Sequence, residues 1–275
     1  MILYIMTDME GLSGIDHWDQ CYDPDDASPK YLYGRDQLTA EANAAIEGCF
    51  DAGATEVRIL DGHGRNRNKG FTDQLDPRAK KVWFEQGTPY RLEAFDEQVT
   101  ATMMIGQHAM AGTFNAFLDH TQIPKELCCY KINGIEAGEM SQLALYAGAC
   151  GVPLIYASGD IALCEEAKQL YPHMLTTPTK RGTGWATCEL FPPDKVRADI
   201  RRDVAIAIAN CDRTKALKIE TPIDIEVEWA YSALADRYDH LPGVRRPHPR
   251  RIAWTIDDPR DIFTWPNASW SRFQS

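Results

Sequence analysis

The sequence predicts an α/β fold: a mostly parallel sheet with flanking helices carrying a metal site, plus a smaller C-terminal α+β subdomain. Three observations predict it. Four short apolar runs in the first 160 residues are unbroken rather than alternating, as strands covered on both faces require. Each run ends in carboxylate, imidazole or glycine residues, and segments with helical spacing lie among them. Beyond about residue 172 the pattern turns to alternation, which divides the chain into an α/β domain, 1–175, and a smaller α+β domain, 176–275.

Residues 2–7 (ILYIMT) form the first strand, which stops at Asp8. After a polar stretch, residues 35–50 place Leu38, Ala42, Ile46, Cys49 and Phe50 on one helical face, closed by Gly53 as a C-terminal cap. Residues 56–60 (EVRIL) are the second strand. Such a strand-helix-strand unit pairs in parallel through a right-handed crossover. Both strands then end at one sheet edge, where open α/β sheets bind ligands, and Asp8 and Glu10 come near Asp61, Gly62 and His63. A third strand, 101–105 (ATMMI), ends in Gly106, Gln107 and His108. A turn at Asn133-Gly134 leads into a helix over 136–149 with Glu139 in its first turn, and 152–157 (VPLIYA) is the fourth strand. In the tail, 194–210 reads as a helix, 223–229 (IDIEVEW) as a half-exposed strand and 251–256 (RIAWTI) as its partner.

Composition narrows the function. The formal charge of −11 offers no basic face for phosphates, which argues against nucleic acid. The apolar run at the start is too short for a signal peptide or a spanning helix, so a cytoplasmic protein away from membranes is expected. Eight cysteines without a C-x-x-C pair fit neither a disulfide scaffold nor a structural zinc motif, and are read as scattered, mostly buried, reduced thiols. The stretch 61–70 (DGHGRNRNKG) lacks either glycine-rich phosphate pattern. The seven tryptophans are assigned to packing or subunit contact.

Five residues stand out: Asp8, Glu10, His63, His108 and Glu139. Taken singly, each is an ordinary cap, loop charge or hydrogen-bonded histidine. Together they bring nitrogen and oxygen ligands from independent strand ends, a set suited to zinc or a similar divalent metal, with Gly11, Gly62 and Gly106 allowing close backbone approach. Three carboxylates and two imidazoles exceed one tetrahedral zinc and suit two ions, bridged by Asp8 at the strand end. His120, on the loop after the third strand, is the candidate for proton transfer to a leaving amine. His17, His173, His240 and His248 receive no role. Asp61 and Asp160 are read as carboxylates that either orient ligand histidines or serve as loop and cap residues.

The blocks MTDMEGLSG (6–14), LDGH (60–63), GQHAMAGT (106–113), DHT (119–121), INGIEAGE (132–139) and VPLIYASGD (152–160) resemble, in order, the signature blocks of the DppA-type D-aminopeptidases, metallopeptidase family M55. TTPTK (176–180) and LFPP (190–193) extend the resemblance more loosely. It implies a dinuclear zinc aminopeptidase cleaving the N-terminal peptide or amide bond of short peptides or amino acid amides, with D-amino acid specificity. It further implies that Asp8 bridges two Zn2+ ions, that Glu10 and His63 complete one and His108 and Glu139 the other, and that His120 is catalytic, as general acid or as nucleophile. A ring-shaped homo-oligomer, a decamer, is implied as well. Two other readings stand beside it: a dinuclear metallohydrolase of another amide or ester bond, and a non-catalytic metal- or ligand-binding protein of the same fold.

Overall fold

The structure, a computed structural model, describes residues 1–65, 69–85 and 89–266. Part of the 61–70 stretch, including Arg67, and Trp270 lie outside the described residues. In chain order the strands are β1 (Ile2–Thr7), β2 (Glu56–Asp61), β3 (Ala79–Val82), β4 (Val99–Gln107), β5 (Leu127–Ile132), β6 (Ile135–Glu136), β7 (Leu154–Asp160), β8 (Leu175–Gly184), β9 (Thr187–Leu190), β10 (Ile223–Trp229), β11 (Arg245–His248) and β12 (Arg251–Ile256). The helices are α1 (Pro29–Asp51), α2 (Glu139–Ala149), α3 (Ile161–Leu170), α4 (Pro193–Ala209) and the single-turn α5 (Ser232–Ala235).

The main sheet has seven strands in the order β3-β2-β1-β4-β7-β8-β9, parallel except for β9, which runs against β8. A second, antiparallel sheet has the order β11-β12-β10-β5-β6. The two sheets interleave along the chain. From beyond residue 175, β8 and β9 extend the main sheet; from before it, β5 and β6 complete the second one.

Side-chain alternation along β1 sorts the core into two layers. Leu3 and Ile5 join Leu38, Ala42 and Ile46 of α1 and Val196, Ile200 and Val204 of α4 on one face. Tyr4 and Met6 join Leu143 and Ala144 of α2 and the second sheet's Ile223, Ile225, Val227 and Trp254 on the other. Burial on both faces is why the parallel strands read as unbroken apolar runs. Trp229, Trp254 and Trp265 pack with Tyr238 at ring separations of 5.4–5.8 Å, a packing role as expected. Among the described residues no helix is long and apolar enough to cross a membrane.

α1 begins six residues before the position read from its apolar face. Ser28 accepts a hydrogen bond from the Tyr31 N–H and Pro29 occupies the first turn, a cap pair that starts the helix ahead of its periodic segment. Its end matches the reading: Gly53 has φ +85°, and the Gly53 and Ala54 N–H groups donate to Phe50 and Cys49 carbonyls in a Schellman arrangement. The segment at 133–136 corrects the reading. Asn133 and Gly134 both have positive φ, 50° and 79°, which makes a tight hairpin between β5 and β6 rather than an entry into a helix. Glu136 is therefore a strand residue, and α2 starts at Glu139. The cysteines are unpaired, but the expectation of mostly buried thiols is corrected: Cys21, Cys49 and Cys164 are buried, Cys128 is exposed and the other four lie between.

Candidate metal centre

Three adjacent strands of the main sheet, β2, β1 and β4, deliver the candidate residues to one edge. Asp8 and Glu10 follow β1, His63 lies two residues past β2, His108 immediately follows β4, and Glu139 opens α2. The loop after β1 is sewn to the end of β4 by backbone bonds from the Asp8 N–H to the Ile105 carbonyl and from the Gly11 N–H to the Gly106 carbonyl, each 2.8 Å. A Cβ on Gly11 would lie 2.0 Å from the Gln107 carbonyl oxygen, so only glycine permits this crossing. The sequence expectation that these strand ends converge holds in the structure.

The side chains meet around Asp8. His63 Nδ1 lies 2.9 Å from Asp8 Oδ1 and 3.2 Å from Glu10 Oε2. His108 Nε2 lies 3.3 Å from Asp8 Oδ2 and 3.5 Å from Glu139 Oε1. His120 stacks on His108 with ring centroids 3.7 Å apart, so all six predicted residues come together. Two groupings have ligand atoms within 4.8 Å of one another: Asp8 with Glu10 and His108, and His108 with His120 and Glu139.

Backbone carbonyls hold the imidazoles. Each histidine places one ring nitrogen on a backbone carbonyl: His63 Nε2 on Cys21 O at 2.7 Å, His108 Nδ1 on Ala109 O at 2.9 Å and His120 Nδ1 on Leu118 O at 2.8 Å. A carbonyl can only accept, so that nitrogen holds a proton and the opposite one faces the cluster, where it becomes a cation ligand once its own proton is lost. Asp61 accepts instead from the backbone N–H groups of His63 and Gly70, and Asp160 caps α3 through the Leu163 N–H. Neither touches an imidazole through these bonds.

Electrostatics favour cations here. Burial alone would raise the Asp8 pKa, but the imidazoles of His108 and His63 beside it outweigh burial and hold the carboxylate well below its usual range. Glu139 is likewise held down to about 2, burial being outweighed by the His108 imidazole 3.5 Å away. His63 and His108 are pushed up: burial opposes the charged form, yet the surrounding carboxylates prevail. His120 moves the other way, because burial and the neighbouring His108 both disfavour its charged form. Glu10 Oε2 and His108 Nε2 are buried and make no hydrogen bond, leaving two ligand-type atoms facing one cluster with their bonding capacity unspent.

Two buried charges that the sequence reading gave no site role fix the ligand loop. Lys180, fully buried, donates to the carbonyls of Glu10 at 2.6 Å and Ile15 at 2.7 Å, with the Phe117 ring beneath its ammonium. Glu41 accepts from the Ser13 N–H at 2.6 Å and the Ser13 hydroxyl at 2.5 Å. Glu166 accepts from the Met110 N–H at 2.8 Å, two residues past His108, and the Gln122 N–H donates to Glu139 at 2.6 Å.

Known proteins resemble this chain in sequence and architecture. The peptidase M55 family model, described as D-aminopeptidase, matches residues 1–268. A D-aminopeptidase of Bacillus subtilis (strain 168) is 30% identical over 251 residues, covering 88% of this chain and 86% of its own. The solved structure described as the Zn-dependent D-aminopeptidase DppA from Bacillus subtilis, a self-compartmentalizing protease, superposes with a TM-score of 0.87 at 26% identity, over 96% of this chain and 94% of that one. A family model spanning nearly the whole chain, over a cluster with the donor chemistry of a metal centre, establishes that this chain belongs to the M55 D-aminopeptidase family and is a metal-dependent hydrolase.

Proposed function

We propose that the chain is a dinuclear zinc aminopeptidase that hydrolyses the N-terminal peptide or amide bond of short peptides or amino acid amides, with preference for the D configuration. One observation carries the two-ion reading: the two oxygens of Asp8 face different imidazoles, Oδ1 toward His63 and Oδ2 toward His108. In this reading Asp8 bridges, Glu10 and His63 hold one ion, and His108 and Glu139 hold the other. The donor set fits, since buried Glu10 Oε2 and His108 Nε2 are unsatisfied without a cation. Bound divalent ions supply Lewis acidity, which lowers the pKa of water and polarises a carbonyl.

The chain's own residues do the rest. His120, anchored through Nδ1 on the Leu118 carbonyl, presents Nε2 as the atom that carries a proton to the departing amine. Its lowered pKa keeps the ring largely neutral near neutrality, able to take a proton before giving it up. Burial of the cluster keeps bulk water out and strengthens each charge interaction. The grouping of His120 with His108 and Glu139 supports a second role for His120, as a metal donor, and the zinc content of a His120 variant separates the two.

The relative described as self-compartmentalizing supports a closed homo-oligomer for this chain too, with residues 176–275 supplying subunit contacts. The test of the function is a panel of paired D- and L-amino acid amides and dipeptides, with zinc and with chelator. Zinc-dependent release of the N-terminal D-residue is expected; turnover that survives chelation, or a zinc-loaded chain that cleaves none of the panel, overturns the reading.

A further inference from the structure

The loops beside the cluster carry an aromatic clamp with a cation on it. Trp18 and Trp185 stack with ring centroids 6.0 Å apart and planes 27° from parallel, and Tyr22 lies 6.0 Å from Trp18. The Lys125 ammonium sits over both indoles, 4.8 Å from the Trp18 ring and 5.3 Å from that of Trp185. The cation sits against one side of the stacked pair within reach of both rings, a geometry that restrains a lysine otherwise free to rotate.

The clamp is tied to both sides of the site. The Trp18 carbonyl accepts from the N–H of Cys21, whose own carbonyl holds His63. The Trp185 indole N–H donates to the carbonyl of Asp119, the residue before His120, and the Trp185 carbonyl accepts from the N–H of Leu118, whose carbonyl anchors His120. The stacked indoles thus join the segment that orients one candidate ligand to the segment that orients the candidate acid. Tyr22 and Trp185 remain 56% and 37% exposed, so the clamp opens to solvent rather than closing into the core.

Among the described residues no carboxylate lies within ion-pair distance of Lys125, in a chain whose formal charge is −11. Two of the acidic groups on the neighbouring loops are engaged elsewhere: Asp19 pairs with Lys30 at 3.0 Å, and Asp119 accepts from the Gly112 N–H at 2.7 Å. An exposed cation on aromatic plates, uncompensated in an acidic protein and wired to the catalytic loops, has the chemistry of a carboxylate receptor.

We propose that Trp18, Trp185 and Lys125 form the subsite for the residue after the scissile bond, with Lys125 binding the free C-terminal carboxylate of a dipeptide and the indoles packing against its side chain. The inference rests on the aminopeptidase reading. A single charge-assisted contact of this kind favours the free acid by about tenfold in kcat/KM.

The experiment compares kcat/KM of the zinc-loaded enzyme for D-Ala-D-Ala and for its C-terminal amide, in wild type, K125M and K125R. The wild type is expected to favour the free acid by about tenfold, K125M to bring the acid-to-amide ratio close to one, and K125R to restore most of it. A merely structural role would lower both rates and leave the ratio intact. A wild-type ratio near one, or a ratio unchanged in K125M, overturns the subsite while turnover of the amide upholds the aminopeptidase reading. Failure of the zinc-loaded wild type to cleave either compound overturns that reading, and the subsite with it.

Discussion

The imidazoles of His108 and His120 lie face to face, 3.7 Å between centroids and 17° from parallel. Positive charge drawn onto His108 by Asp8 and Glu139 therefore acts directly on its neighbour. Burial, the larger influence, and this charge together keep His120 neutral where an isolated histidine would be partly protonated.

His120→Ala should lower kcat by about 10²–10⁴-fold if the ring moves the proton, with zinc content unchanged. Turnover on a D-amino acid amide and zinc by mass spectrometry, on one sample, check both halves. Full turnover removes His120 from the mechanism, and a halved zinc content makes it a ligand.

Asp8→Asn keeps the size of the side chain and removes the charge that both imidazoles face. Bound zinc should fall from about two ions per chain toward none, because the bridge serves both. Circular dichroism should show the sheet retained, since Asp8 has its backbone N–H in the bond to Ile105 regardless of side chain. Two tightly held ions in D8N would refute the bridging role.

Lys180→Met removes the ammonium that binds the Glu10 and Ile15 carbonyls and leaves both acceptors buried without a partner. The cost should be about 2–5 kcal/mol of unfolding free energy, with zinc affinity lowered about 10–100-fold because Glu10 is no longer held. Denaturant titration and competition with a zinc chelator measure the two effects.

Stability should also depend on pH through Glu41, whose carboxyl burial lifts from 4.5 to about 7. A folded-state value above the unfolded one means the contribution is whole below about pH 4.5 and is lost as pH rises through about 7. For the metal-free chain, the decline in unfolding free energy from about pH 5 to about pH 8 should be smaller by about 2–3 kcal/mol in Glu41→Gln, which keeps an acceptor for Ser13 but cannot ionise. Identical slopes in both proteins would contradict this.

Strands with dense apolar content were legible almost to the residue: β1, β10 and β12 coincide with the runs 2–7, 223–229 and 251–256. Strands β3, β8, β9 and β11, with sequences such as AKKV and TTPTKRGTG, were not. Their places in the sheets come from neighbours, which a local pattern does not record. Four of the six candidate residues, Asp8, Glu10, His63 and His108, were legible because carboxylates and imidazoles at parallel strand ends share an edge; Glu139 opens a helix and His120 lies on a loop, where that rule does not reach. Their supports were not: the carbonyls of Cys21, Ala109 and Leu118 belong to no residue type, and nothing in the sequence marks Lys180 or Glu41 as buried.

Asp8 and His63 are 55 positions apart, and Glu139 follows four further strands later. An unfolded chain presents an ion with little beyond the neighbouring Asp8 and Glu10, so the proposed centre exists only in the folded form. An ion that binds one form alone shifts the folding equilibrium by mass action, by about 4 kcal/mol at a thousandfold excess over its dissociation constant. Under that proposal metal supply governs abundance as well as turnover: chains made while zinc is scarce would spend more time open to proteolysis, and their number would fall along with their activity.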